Sequence, residues 1–223
     1  MFIAEGPKII HELLNEYPAG IRHIYATRDW INDQQVPGNI ELTEVDSAGL
    51  ERISQLKTPN KVVAIVRQFP EKSAIQVRNH FTLVLDAIQD PGNFGSIIRS
   101  ADWFGITQVV CNHECADIYN PKVVQATMGS IARVRVMYTN IEDWLQKNKD
   151  VRIYGTGLQG KTVNEIGILK EGILVIGNES KGIDEKVLEL VDEVITIPKK
   201  GKAESLNAAV ATGIILAFVC LRE

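Results

Sequence analysis

Apolar residues follow two textures along this chain. In the first 68 or so residues, helical and strand-like patterns alternate. GPKIIHELL opens a helix, with Ile9, Ile10, Leu13 and Leu14 on one face and Pro7 well placed near its start. IRHIYA and KVVAIV read as short strands. QFPEKSAIQVRNH then loses periodicity and reads as a linker. From Phe81 onward, FTLVLDAI, TQVVCN, VRIYGT, GILVIGN and EVITIP form short runs rich in Val, Ile and Leu, separated by helical stretches. Strands apolar at consecutive positions are buried on both faces, which predicts a largely parallel sheet wrapped by helices. The organisation expected is two α/β domains, residues 1–70 and 81–223, joined by a linker over 71–80.

Composition narrows the class without naming a function. A hydrophobic content of 45% and a charged content of 23% are ordinary for a soluble globular protein of 223 residues. The longest apolar run, residues 208–221, is interrupted by Thr212 and Gly213 and is short for a bilayer span, so it reads as a buried helix. The opening MFIAEGPK lacks a basic segment followed by a long apolar core, so no secretory signal is expected. Three cysteines cannot all pair, which points to a reducing compartment and hence the cytoplasm. The net charge of −4 is not the footprint of a protein that binds nucleic acid over its whole surface. Local basic groups exist: Lys199, Lys200 and Lys202 sit together, and Arg133 and Arg135 alternate in one expected strand. On charge alone each reads as a solvated face.

Two motifs invite readings that the spacing does not support. GTGLQG, residues 155–160, matches GxGxxG after a strand, but KTVNEIGILKEG offers no proper helix at the last glycine and reaches the next strand too soon for a dinucleotide fingerprint. Cys111, His113 and Cys115 in CNHEC have atypical zinc spacing and no fourth ligand nearby, so no metal site is expected.

Three clusters remain, and ligands of parallel sheets gather at the carboxyl ends of strands. In residues 83–106, LVLDAIQDPGNFGSIIRSADWFGI, a strand runs into a turn, Asn93 reads as the N-cap of a helix, and Gly105 ends it. Phe94, Ile97, Ile98, Ala101 and Phe104 make its apolar stripe, while Arg99 and Trp103 are neighbours on the opposite face. Either a partner surface covers that face and draws Arg99 into an interface, or Arg99 pairs on the surface with Asp102; the segment alone allows both. In GILVIGNESKGI, Gly177 ends a strand and would let a flat ligand approach, with Glu179 at the mouth. The bland alternative is a glycine turn with a solvated carboxylate. In VITIPKKGKAESLNAAVATGIILAFV, a basic glycine loop leads to Ser205, which reads as the cap of a long helix, and to Asn207 near its first turn. That helix is apolar nearly all round, as in a subunit interface.

Together, NFGSIIR, IGNESKG and IPKKGKAESLNAAVA resemble the three signature motifs of the SpoU (TrmH-like) family of RNA ribose 2′-O-methyltransferases, in the family's order and separations. YNPKVVQATMGS resembles the segment between the first two motifs, and EGPKIIHELL is similar to the start of the ribosomal-protein-like substrate domain of many members. Ala208 and Ala209 depart from the valine and serine of the third motif.

The resemblance implies an α/β fold with a C-terminal trefoil-knotted SPOUT methyltransferase domain, a small N-terminal α/β RNA-binding domain, and a homodimer. It implies S-adenosylmethionine held largely through backbone groups at Thr156, Gly157, Gly177, Ile197, Ser205 and Leu206, with no metal and no membrane. The partner it implies is structured RNA, ribosomal or transfer. Arg99 becomes the leading catalytic residue, supplied across the dimer interface, with Asn93, Glu179, Ser205 and Asn207 positioning the arginine, the ribose and the cofactor. The rivals are a nicotinamide-dependent dehydrogenase using GTGLQG and a non-catalytic relative that binds RNA; retention of the motifs' polar residues argues against the second.

Overall fold

A computed structural model describes residues 1–70 and 75–221. Residues 71–74, part of the expected linker over 71–80, lie outside the described residues. The N-terminal elements are β1 (Phe2–Glu5), α1 (Pro7–Glu16), β2 (Ile21–Ala26), α2 (Arg28–Asp33), β3 (Glu41–Glu44), α3 (Ser47–Ile53) and β4 (Val62–Val66). They form a four-stranded sheet in the order β1-β4-β2-β3, with β4 antiparallel to both neighbours and β3 parallel to β2. Helix α1 begins where the pattern predicts, because Pro7 lacks only an N–H that a first turn leaves unpaired. Its Ile9, Ile10 and Leu13 are buried. Strands β1 and β3 escape the pattern reading: every residue of β3 is exposed, and β1 ends on a buried acid, Glu5.

The second set is β5 (Phe81–Leu85), α4 (Pro91–Trp103), β6 (Gln108–Cys111), α5 (Pro121–Thr127), β7 (Arg135–Tyr138), α6 (Ile141–Lys147), β8 (Ile153–Thr162), β9 (Gly172–Ile176), α7 (Glu185–Leu188), β10 (Glu193–Thr196) and α8 (Ala208–Cys220). Its six strands are ordered β10-β8-β9-β5-β6-β7, and every pair is parallel. The expected parallel sheet is therefore present, with both faces covered. Leu83 and Leu85 point into a core shared with α4, α5 and α8, while Val84 between them joins Ile141, Leu145 and Val187 of α6 and α7 on the other face. Arg133 lies outside the expected strand: it follows a 3-10 turn at Ser130–Ala132, and β7 begins at Arg135.

The larger core is continuous from β1 and α1 into α4 and α5. Rings of Phe2 and Tyr119 meet at 5.0 Å, those of Tyr17 and Phe69 at 4.8 Å, and the Tyr119 hydroxyl accepts from the Phe69 N–H at 2.9 Å. The N-terminal sheet is thus seated on the parallel-sheet half through a packed aromatic cluster. After edge strand β10 the chain turns back, and α8 packs on α4. The stretch between β8 and β9 lies against α8, where the Leu169 N–H donates to the Val219 carbonyl at 2.9 Å. Among the described residues, no helix is long and apolar enough to cross a membrane.

Candidate active site

Three consecutive strands of the sheet's edge, β10, β8 and β9, open at their carboxyl ends into one cavity of about 500 Å³. The β8 wall arises from a break in register. Gly155 pairs with Val194, but the next β10 residue, Ile195, pairs with Lys161, so residues 156–160 arch outward. This places Thr156, Gly157 and Leu158 in the cavity wall. The GTGLQG stretch therefore lies inside a strand, with no helix opening at its last glycine.

The β9 wall is the loop from Gly177 to Gly182. Its shape comes from a close backbone approach. Asn178 and Gly182 exchange backbone hydrogen bonds at 2.9 Å, and a Cβ on Gly177 would lie 2.4 Å from the Gly182 carbon and the Ile183 nitrogen. The glycine that the sequence suggested for ligand approach is thus first required by the chain's own fold. The Asn178 side chain braces the loop, donating to the Ala87 carbonyl at 2.8 Å and accepting from the Ser180 and Lys181 N–H groups. Asp86, buried at the end of β5, ties down the far side by accepting from the Asp184 N–H and the Asn112 amide, each at 2.8 Å. Burial raises the Asp86 carboxyl above the usual carboxylate range. Neither Asp86 nor Asn178 was singled out from sequence, although an acid at the end of the apolar run FTLVL was a signal.

The β10 wall is the segment from Ile197 to Leu206, which continues into Ala208, Ala211 and Ile215 of α8. Thr156, Gly157, Gly177, Ile197, Ser205 and Leu206 all line this one cavity, together with Glu179.

Two helix caps differ from the sequence reading. Asp90, not Asn93, caps α4: Pro91 takes the first helical position, and the Asp90 carboxylate accepts from the Asn93 N–H at 2.8 Å. Asn207, not Ser205, caps α8, its Oδ1 accepting from the Ala209 and Val210 N–H groups at 3.0 and 3.2 Å. Ser205 stays exposed on the cavity wall. Both corrections have the same consequence, because they orient two asparagine side chains toward each other. Asn207 Nδ2 donates to Asn93 Oδ1 at 2.7 Å, and Asn93 Nδ2 donates to Glu179 Oε1 at 2.5 Å. A backbone N–H can only donate and an ionised carboxylate only accept, so both amides have a single workable orientation. The result is a directed chain of hydrogen bonds from the N-terminus of α8 to the Glu179 carboxylate, each bond polarising the next.

Arg99 stands outside this cavity wall. It is exposed on α4, with Trp103 one turn on and 82% exposed. The surface pairing of Arg99 with Asp102 does not form. Asp102 is taken by Arg133, whose Nη2 donates at 2.8 Å, and by the Ser130 hydroxyl at 2.7 Å. Among the described residues Arg99 has no ion-pair partner. Cys111, the last residue of β6, and Cys115 just beyond it are both buried, and Cys115 accepts from the Ile88 N–H.

The SpoU rRNA Methylase family matches residues 80–217, and the MRM3-like substrate binding domain matches residues 1–64. Over 218 residues the chain is 31% identical to the 23S rRNA (guanosine(2553)-2'-O)-methyltransferase RlmP of Bacillus subtilis (strain 168), covering 96% of this chain and 86% of that protein. A TrmH-family structure from Porphyromonas gingivalis superposes with a TM-score of 0.86 at 35% identity, over 97% of this chain and 88% of that one. The AdoMet-bound rRNA methyltransferase from Sinorhizobium meliloti superposes with a TM-score of 0.81 at 29% identity, over 97% of this chain and 85% of that one. With two of the family's motifs lining one cavity and the first tied to them through Asn93, the chain belongs to the SpoU rRNA methylase family.

Proposed function

We propose that this chain transfers the methyl group of S-adenosylmethionine to a ribose 2′-hydroxyl in structured RNA, ribosomal or transfer. One observation carries the reading: the loops bearing the second and third family motifs line a single cavity, and Asn93 of the first motif joins its Glu179 to Asn207 through hydrogen bonds.

The cavity fits the cofactor. About 500 Å³ is in the range of small-molecule sites. Its wall combines apolar side chains, Ile176, Ile195, Ile197, Leu206 and Ile215, with loop backbone at Thr156, Gly157 and Gly177. That combination suits a flat base and a methionine chain held through backbone groups, with Ser205 adding a hydroxyl. When bound, S-adenosylmethionine supplies a methyl group on a sulfonium that is already electrophilic, so its transfer calls for no metal activation.

The difficulty lies with the ribose hydroxyl, a poor nucleophile until its proton is leaving. Holding it in line for attack contributes up to roughly 7–11 kcal/mol. Glu179, fixed by Asn93, and Ser205 would orient the ribose at the cavity mouth. Arg99 acts electrostatically, stabilising the developing alkoxide or orienting an RNA phosphate that takes the proton; as a base it is unsuited, since a guanidinium stays charged. Its exposure, away from its own cavity, suits delivery to the site of a second copy in a homodimer. The surface that would pair is apolar: Trp103 on α4 is 82% exposed, and Val210 and Phe218 on the packed α8 are 51% and 36% exposed.

The same reading includes a trefoil knot, supported by the return of α8 beneath the 163–171 stretch to reach α4. It divides the chain into an RNA-binding domain over 1–70, a linker over 71–80 and a methyltransferase domain over 81–223. It places the protein in the cytoplasm, where its buried thiols stay reduced.

The test is methyl transfer from isotope-labelled cofactor to ribosomal and transfer RNA, followed by digestion and nucleoside mass spectrometry. Label on a ribose supports the reading. Label on a base, or none on any RNA while the cofactor binds, overturns it.

A further inference from the structure

Neither the whole chain nor its N-terminal unit is basic enough to attract RNA by overall charge. The chain carries 24 Lys and Arg against 28 Asp and Glu, and residues 1–70 carry seven against nine. Phosphate contacts supply much of nucleic-acid affinity, so here they require a local concentration of unpaired cations. The reaction says where. A 2′-hydroxyl sits on the ribose carbon adjacent to the one bearing the 3′-phosphodiester, so an acceptor ribose at the cavity mouth brings a phosphate with it.

Lysines 181, 199 and 200 are the cations in that cavity's wall, and Lys202 stands on the same loop as the last two. Lys199, Lys200 and Lys202 are exposed, and among the described residues none is in an ion pair. Other basic residues are engaged elsewhere: Lys161 and Arg152 with Glu193, Arg78 with Asp150, Arg28 with Glu44. Residues 197–207 have no regular secondary structure, which leaves the three ammonium groups free to track a backbone.

Resting on the methyl-transfer reading, we propose that Lys199, Lys200 and Lys202 form a phosphodiester clamp that seats the acceptor strand of RNA over the cavity. Lysine is a mobile point charge without the planar fork that reads base edges. The clamp therefore supplies affinity and position, and little sequence preference.

The experiment measures RNA binding against salt, with S-adenosylhomocysteine binding by calorimetry in parallel. The proteins are the wild type, K199Q/K200Q/K202Q and K199R/K200R/K202R. Each phosphate contact contributes roughly 0.7–0.9 to the slope of log affinity against log salt, so the glutamine variant should lose about two units of slope and about tenfold or more in RNA affinity at low salt. Its S-adenosylhomocysteine affinity should stay near that of the wild type, and the arginine variant should restore the slope. A glutamine variant with wild-type affinity and slope, on RNA that the wild type methylates, overturns the clamp alone. Loss of S-adenosylhomocysteine affinity with RNA binding intact also overturns it, assigning the lysines to the cofactor's carboxylate. A wild type that binds S-adenosylhomocysteine but neither binds nor methylates RNA overturns the methyl-transfer reading and the clamp with it.

Discussion

Asn93 and Asn207 stand 114 residues apart in the chain and join their side-chain amides at 2.7 Å. Each also holds a second partner, Glu179 for Asn93 and the first-turn N–H groups of α8 for Asn207. The pair therefore couples the start of one helix, the start of another and a strand-end carboxylate. Replacing Asn93 by Ala leaves Glu179 without its amide donor but leaves the α8 cap intact. A hydrogen bond to a charged group contributes about 1.5–3 kcal/mol, so kcat should fall roughly 10- to 100-fold if that bond positions the ribose. S-adenosylhomocysteine affinity should change little. Asn207→Ala should show the same kinetic defect plus a lower Tm, because it also removes a cap that contributes about 1 kcal/mol. Equal kcat for Asn93→Ala and wild type would remove the relay from the mechanism.

Arg99→Ala should fold and dimerise yet lose nearly all methyl transfer, since an exposed side chain with no ion-pair partner among the described residues contributes little to its own subunit. Delivery across an interface makes a sharper prediction. Mixing Arg99→Ala with a variant disabled in the cofactor cavity should create hybrid dimers carrying one intact site, recovering about a quarter of wild-type activity at random assortment. No recovery in a mixture shown to contain hybrids would place Arg99 in its own subunit's site.

Much of this was legible in the sequence, and the failures have specific causes. The strands β5, β6 and β9 announced themselves because both of their faces are covered, so they read as runs dominated by consecutive apolar residues. Strand β3, ELTE, is an exposed edge with no such signature, and β1 hides a buried Glu5 that only Ser54 and Gln55, about 50 residues on, make tolerable. The caps failed for a different reason. Asp90 and Asn93, like Ser205 and Asn207, are equally good caps by residue type, and Pro91 was the signal that should have favoured Asp90. The three-way meeting of Asn93, Glu179 and Asn207 is a tertiary contact that no local pattern contains. The motifs of the resembled family grouped these residues, and the structure supplied their hydrogen bonds.

Gly177→Ala should damage the cavity more than its size suggests. The added methyl would meet backbone at 2.4 Å on Gly182 and Ile183, and backbone yields less readily than a side-chain tip. Overpacking of this kind costs about 1–3 kcal/mol, here by displacing the loop that carries Glu179. Calorimetry should show S-adenosylhomocysteine affinity falling about tenfold or more, against a smaller loss of RNA affinity. Unchanged cofactor affinity would mean that the loop can shift without consequence.

Arg133 links helix α1 of the N-terminal half to the helix that carries Arg99. Its guanidinium donates to Asp102 through Nε and Nη2 and to Glu12 of α1 through Nη1. Burial pushes the Asp102 carboxyl up, but the hydrogen bonds from Arg133 and Ser130 outweigh it and hold the group below its ordinary value of 3.8. A depressed folded-state pKa stabilises the fold fully above 3.8, and that contribution is lost as pH falls through the lower folded value. Arg133→Ala should therefore cost about 1.5–3 kcal/mol near neutral pH, roughly 3–12 °C in Tm. The Tm gap between wild type and Asp102→Asn should narrow as pH is lowered from about 7 to about 3, because protonation of the wild-type carboxyl then removes the same charge. Glu12→Gln removes the charge from the contact between α1 and Arg133 while leaving Asp102 in place, so it should lower kcat/KM for RNA while leaving S-adenosylhomocysteine binding untouched. A gap between wild type and Asp102→Asn that stays constant across this pH range would show that Asp102 acts through packing and not through its charge.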